Sequence, residues 1–180
     1  MYNRLLIFVL VLVLAGCSGT EKNKPVKVAA VNYPLAYFAE RIGEELVQVD
    51  FPVPAGADPA FWEPDDAAMK VFRDADIILA NGADYSMWIM GSGLDKDKII
   101  YTTEALQDRI LFDTQAQRNK SHAYTTWLDF QMASAQARAI YDTLVGVMPD
   151  HKKEMNLRFR QLKVELEGLD RQLIRYSQNN

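Results

Sequence analysis

One cysteine, Cys17, and two histidines, His122 and His151, are all that the 180 residues offer of their kinds. A single cysteine rules out an intramolecular disulfide framework. Two histidines far apart, neither beside a serine in a nucleophile signature, leave no Ser-His or Cys-His pair to read, and no glycine loop has the spacing that cradles phosphate. An enzyme is therefore not expected. Basic charge is also scarce: 20 Lys and Arg stand against 24 Asp and Glu, a formal net charge of −4. Mild acidity argues against nucleic acid as a partner, since phosphate contacts reward basic patches. No repeat of fixed period appears.

Long apolar runs are absent except at the start. Arg4 precedes a core from Leu5 to Leu14, about ten residues against the roughly 20 that span a bilayer, so this is a signal and not a transmembrane helix. It closes on Leu14-Ala15-Gly16-Cys17, the lipobox pattern of a bacterial lipoprotein, in which Cys17 becomes the lipid-bearing N-terminus. The sequence thus predicts a signal peptide at 1–16 and a tether at 17–25, whose Ser, Gly, Lys and Asn show no apolar period. It places the chain outside the cytoplasm, anchored to membrane lipid through Cys17, on the periplasmic side or at the cell surface.

Folding is expected from Val26. Val26–Val31, Val47–Val53, Ile77–Ala80 and Ile99–Thr102 are short β-branched or apolar runs. Helical patterns fall between them: Leu35, Phe38, Ala39 and Ile42 on one face, ended by Gly43, then Ala68, Met69 and Phe72 in a helix opened by Pro64-Asp65-Asp66. Strands that are almost wholly apolar and alternate with helices predict an α/β lobe with a parallel four-stranded sheet flanked by helices. The polar stretch 107–121 reads as a surface loop. From Asp129 the chain turns helical, with Ala133, Ala137, Ile140, Leu144 and Val147 on one face up to Pro149. A longer stripe follows: Met155, Phe159, Leu162, Leu166, Leu169, Leu173 and Tyr176, spaced alternately four and three. The domain reading is a lobe at 26–128 and a helical segment with a long backbone helix at 129–180. The stripe reads either as packing within the domain or as a seam for another chain, with Leu166, Leu169, Leu173 and Tyr176 as the end left uncovered, open to self-association.

The blocks Val28-Ala29-Ala30-Val31-Asn32-Tyr33-Pro34-Leu35, Pro54-Ala55-Gly56-Ala57-Asp58-Pro59, Glu63-Pro64, Ala75-Asp76, Asn81-Gly82, Trp88 and Trp127-Leu128-Asp129 resemble the metal-binding lipoproteins of zinc and manganese ABC importers. The resemblance runs through most of residues 26–176. It implies a helical-backbone metal receptor: two α/β lobes bridged by one long helix, a transported zinc or manganese ion in the cleft, and an ABC permease as partner. This chain resembles the first lobe plus the bridging helix, with the second lobe absent.

Two departures follow. The family pattern has a His after the Asp-Pro of the Gly-x-Asp-Pro loop, where this chain has Ala60, and a His two residues before Trp-Leu-Asp, where it has Thr125. A methyl cannot ligate, and a neutral hydroxyl is a poor donor to a borderline-soft divalent ion. The pair Asp-Pro-Ala-Phe-Trp and Thr-Thr-Trp-Leu-Asp is similar to a divergent branch of the same lipoproteins, which would make the substitutions a subfamily trait. The remaining family ligands are expected beyond Asn180, so no tightly bound ion is expected in this chain.

Replacement ligands are few. His122 reads as a donor that swings toward the cleft or as a solvated loop side chain. Glu63 reads as a ligand or a helix N-terminal acid, and Asp129 as a ligand or an N-cap. Phe61, Trp62, Tyr85, Trp88 and Trp127 raise a second idea, an aromatic cleft mouth for a chelated metal or small apolar ligand. Core packing is the other reading for Trp88 and Trp127. Two functions stay open: a substrate-binding lipoprotein of a zinc or manganese importer, degenerate at its first-lobe histidines, and a non-transporting lipoprotein that kept the lobe as an interaction module.

Overall fold

Residues 24–110, 112–113 and 121–179 are described by the computed structural model; the expected signal peptide, Cys17 and residues 18–23 of the expected tether lie outside them. Four short strands, β1 (Val26–Ala30), β2 (Val47–Asp50), β3 (Ile77–Ala80) and β4 (Ile99–Tyr101), form one sheet in the order β2-β1-β3-β4. Every pairing is parallel, with Val28 opposite both Val49 and Ile77, and Leu79 opposite Ile100. The central strand β3 is buried throughout, as a strand covered on both faces must be. The sequence expectation of a parallel four-stranded α/β sheet is met. β2 is shorter than expected: it ends at Asp50, and Pro52 just beyond it has no N–H for a ladder.

α1 (Tyr33–Gly43) starts where Asn32 caps it, its side chain accepting from Leu35 N at 3.0 Å. Its Leu35, Phe38, Ala39 and Ile42 are buried against the sheet. Its last residue is Gly43, where a Cβ would lie 2.5 Å from Val47 Cγ2, and the chain leaves the helix at Glu44, whose φ is 47°. α2 (Asp66–Asp74) begins two positions later than the sequence suggests. Asp65 is its cap, accepting from Ala68 N at 2.8 Å, which leaves Glu63 and Pro64 ahead of the helix. The first crossover runs from β1 outward to β2, and the second returns past β1 to β3. Right-handed crossovers in opposite directions put α1 and α2 on opposite faces.

α3 (Phe130–Val147) and α4 (Lys152–Gln178) pack against each other and against α1. Tyr141 stacks on Phe159 with centroids 5.0 Å apart, and the Arg138 guanidinium lies over both rings. One core joins the lobe to these helices, from Val28 through Ile140 to Leu166. Val147, expected on the buried face, is exposed at the helix end.

The α4 stripe divides. Met155, Phe159, Leu162 and Leu166 are buried, whereas Leu169, Leu173 and Tyr176 are 45%, 53% and 70% exposed. Leu166 therefore does not belong to the uncovered end, because it closes the shared core. Arg158 bonds the Gly43 carbonyl and pairs with Glu44 and Glu45, while Arg41 grips Glu165, so α4 runs antiparallel to α1. α1 starts at the carboxyl end of β1, and the exposed turns of α4 accordingly project toward that end of the sheet. Among the described residues no helix is long and apolar enough to cross a membrane.

Candidate functional site

Strand order reverses between β1 and β3, and the carboxyl ends of the strands at such a switch point are where open α/β sheets bind ligands in a crevice. The residues that follow those strands, Asn32 and Asn81, are both buried there. Asn81 Oδ1 accepts from Gln136 Nε2 at 3.0 Å, and from Asn32 Nδ2 and Thr126 Oγ1 at 3.4 Å each. Its Nδ2 donates to the Gly82 and Tyr124 carbonyls, both at 3.1 Å. Gln136 also donates to Thr102 Oγ1 at 3.0 Å and accepts from Thr126 Oγ1 at 3.2 Å. Thr103 Oγ1 donates to the Asn81 carbonyl at 2.6 Å.

The floor of the crevice is thus built from amides and hydroxyls that satisfy one another, with no formal charge. A buried polar network of this kind fixes the geometry of what it joins. It joins the ends of β1, β3 and β4, the Tyr124–Thr126 segment and the first turns of α3.

Aromatic side chains lie above it. Tyr85 meets Tyr124 and Trp127 edge-on, each at 5.5 Å, and Phe61 meets Tyr124 at 6.4 Å. Burial, with the nearby Asp58 charge and Tyr124, pushes the Tyr85 hydroxyl well above its ordinary pKa, so it remains a neutral phenol. Phe61 is 75% exposed, whereas Trp62 and Trp127 are half-buried on the core. Trp88 packs between Phe72 and Trp62, and its buried Nε1 has no hydrogen-bond partner among the described residues.

Of the residues singled out in the sequence, the aromatic ones pack together, Tyr85 on Trp127 and Trp62 on Trp88, whereas the described metal-donor candidates form no cluster. Glu63 is exposed in the loop before α2. Asp129 caps α3, accepting from Gln131 and Met132 N at 2.9 and 3.0 Å, and stands 4.0 Å from Arg109. His122 lies in β6 (Ser121–His122), opposite Phe112 of the antiparallel β5 (Phe112–Asp113); its side chain is outside the described part. Ala60 is half-buried, its N–H bonded to Asp58 Oδ1 at 3.0 Å, and Thr125 is exposed. Among the described residues no three His, Cys, Asp or Glu side chains gather where they could hold a metal ion. Sequence reading missed the polar floor. Its signal was Gln136, a polar residue on the apolar face of α3 between Ala133 and Ile140.

Residues 28–178 match the family model described as zinc-uptake complex component A, periplasmic. The chain is 23% identical over 177 aligned residues to the iron ABC transporter substrate-binding lipoprotein MtsA of Streptococcus pyogenes, covering 92% of this chain and 57% of that protein. It is 23% identical over 174 to the zinc-binding lipoprotein AdcA of Streptococcus pneumoniae, covering 89% and 34%. Among solved structures, the periplasmic zinc binding protein TroA of Treponema pallidum aligns with a TM-score of 0.74 at 20% identity, over 87% of this chain and 56% of that one. The metal-dependent lipoprotein YcdH of Bacillus subtilis gives 0.71 at 19%, over 81% and 53%. The structural likeness is one of fold, and the chain spans about half the length of these proteins or less.

Proposed function

The chain belongs to the periplasmic zinc-uptake component A family, and on that premise we propose that it is the substrate-binding lipoprotein of a metal ABC importer, divergent at its binding site. It is a binding protein, not an enzyme. The family match across 28–178 carries this reading, and the crevice at the sheet's switch point agrees with it. In this reading Cys17 holds the chain to a membrane outside the cytoplasm, the strand-end loops form one wall of a cleft, and the loaded lobe docks on a permease. Zinc or manganese is the cargo. α4, tied to α1 by Arg41 and Arg158, behaves as a stiff strut, so capture rests on ordering of the loops around Ala60 and Thr125 more than on a hinge.

Both imidazoles of the family's first lobe are replaced at Ala60 and Thr125, and the floor beside them is neutral. The proposed first wall therefore binds bare zinc weakly. Glu63, His122 and Asp129 are its remaining candidate donors, and Phe61, Trp62 and Trp127 its aromatic rim. Calorimetric titration of the full chain with zinc tests this: weak binding is expected, tightened by about tenfold or more in Ala60→His with Thr125→His. Sub-micromolar binding by the unaltered chain, lost on His122→Ala, would overturn the assignment of the ligand loops.

The neutral floor together with the exposed Leu169, Leu173 and Tyr176 supports a second reading, a non-transporting lipoprotein that uses the lobe as an interaction module. A metal-uptake assay separates the two. Loss of uptake on deletion supports the first, and unchanged uptake supports the second.

A further inference from the structure

On the β4 side of the polar floor the chain after β3 adopts a backbone that sterics disfavour. Gly82, Ala83, Asp84 and Ser86 have φ of 80°, 53°, 61° and 52°, and in three of them a Cβ opposes that conformation. Such residues persist where their surroundings over-determine them, a habit of ligand clamps. Here Ser86 is buried and donates from Oγ to the Pro59 carbonyl at 3.1 Å. Tyr85 N donates to the Gly82 carbonyl and Ile89 N to the Ser86 carbonyl, both at 3.1 Å. The run is fixed from both ends.

It borders a cavity of about 330 Å³. Two short 3₁₀ turns wall the space, Met87–Gly91 and Glu104–Arg109. Residues three apart eclipse in such a turn, and the cavity is lined by one such pair from each, Met87 with Met90 and Glu104 with Gln107, together with Tyr101. Among the described residues its lining includes Asp84 and Glu104 and no Lys, Arg or His. The adjoining cavity of about 390 Å³ shares Ile89, Met90 and Tyr101 but has Lys96 and no carboxylate. Of the two, the first alone has acidic residues in its described lining.

We infer that this cavity binds a small organic cation with an apolar body, an alkyl- or arylammonium compound. Its size suits a molecule and not a bare ion, since ligand pockets start near 300 Å³. Thioethers and tyrosine rings offer polarizable surface that favours a diffuse cation over a strongly hydrated one, and Glu104 supplies the opposite charge. The strained run sets the wall before the ligand arrives. Neither Ala60 nor Thr125 lines this cavity, and it adds to the metal capture proposed above a second ligand class.

Titration of the full chain with phenyltrimethylammonium, by calorimetry and by resonance shifts of the methionine methyls, tests the inference. Saturable one-to-one binding is expected, with shifts at Met87 and Met90. Affinity should fall about tenfold in Glu104→Gln, and the neutral isostere tert-butylbenzene should bind about tenfold more weakly. Met87, Met90 and Glu104 are exposed, so their variants fold, which circular dichroism verifies. Absence of saturable binding, equal binding of the neutral isostere, or binding indifferent to both Glu104→Gln and Met87→Ala would overturn it. Zinc titration of the same variants is expected to be unchanged, so failure here is distinguishable from failure of the metal reading.

Discussion

Gln136 donates to Asn81 at 3.0 Å across 55 positions of sequence, and this bond couples the third helix to the carboxyl end of the central strand. Both side chains are fully buried. Removing one partner strands the other's polar atoms, the expensive way to lose a hydrogen bond.

Gln136→Leu should therefore destabilise the protein by about 2 to 4 kcal/mol, since Asn81, Thr102 and Thr126 each lose a partner. Urea denaturation measures it. A change below about 0.5 kcal/mol would show that water or rearrangement satisfies the network.

Gly82→Ala tests the turn after β3 in a different way. Gly82 has a φ of +80°, and a Cβ there would lie 2.4 Å from Thr103 Oγ1, which already donates to the Asn81 carbonyl. Strain and a displaced hydroxyl together should lower stability by about 2 kcal/mol. Gly56→Ala is the control: its φ is +86° but its surroundings are open, so the cost should be about 1 kcal/mol.

The Arg41–Glu165 pair, at 2.9 and 2.7 Å, gives a pH signature. The hydrogen bond from Arg41 holds the Glu165 carboxyl below its ordinary pKa. A depressed carboxylate contributes stability at neutral pH that is lost as pH falls, here from about pH 5 downward. The pair is largely exposed, so Glu165→Gln should cost less than about 1 kcal/mol, and 0.5 M salt should shrink even that. Equal effects at pH 3 and pH 7 would point to lost packing instead.

Leu169, Leu173 and Tyr176 form the exposed end of α4. Sedimentation of the full chain in detergent-free buffer at tens of micromolar should show concentration-dependent association that weakens in Leu169→Glu with Leu173→Glu. A stable monomer, indifferent to both changes, would show that this end of α4 is not a self-association face.

Cys17→Ala should abolish lipidation and leave the chain uncleaved or released, because no second thiol can take the acyl group. Fractionation into membrane and soluble pools reads this directly. A processed Cys17→Ala protein still held at the membrane would count against the lipobox.

Local pattern was enough for the parallel sheet, for α1 with its glycine stop, and for a cap at Asp129. Each depends on chemistry within a few residues: apolar runs of strand length, a side-chain oxygen three positions before an orphan N–H, a glycine where Val47 approaches. The buried half of the α4 stripe was equally visible, but where burial stops was not. Leu166 and Leu169 are indistinguishable in sequence; only the reach of the α1 packing surface decides that one is core and the other is exposed.

The sequence by itself determined an α/β lobe with a parallel sheet followed by two helices, and its resemblance to metal-binding lipoproteins set the expectation that the usual donors are replaced at Ala60 and Thr125. Tertiary structure decided the rest. Asn32, Asn81, Thr102, Thr126 and Gln136 are unremarkable polar residues until β1, β3, β4 and α3 bring them within 3.4 Å of one another. The cavity beside them is walled by the left-handed run after β3 and by two turns, Met87–Gly91 and Glu104–Arg109, that only the fold brings together. Hydrogen bonds and cavities between residues tens of positions apart leave no period in a sequence, since their energy depends on distance in space.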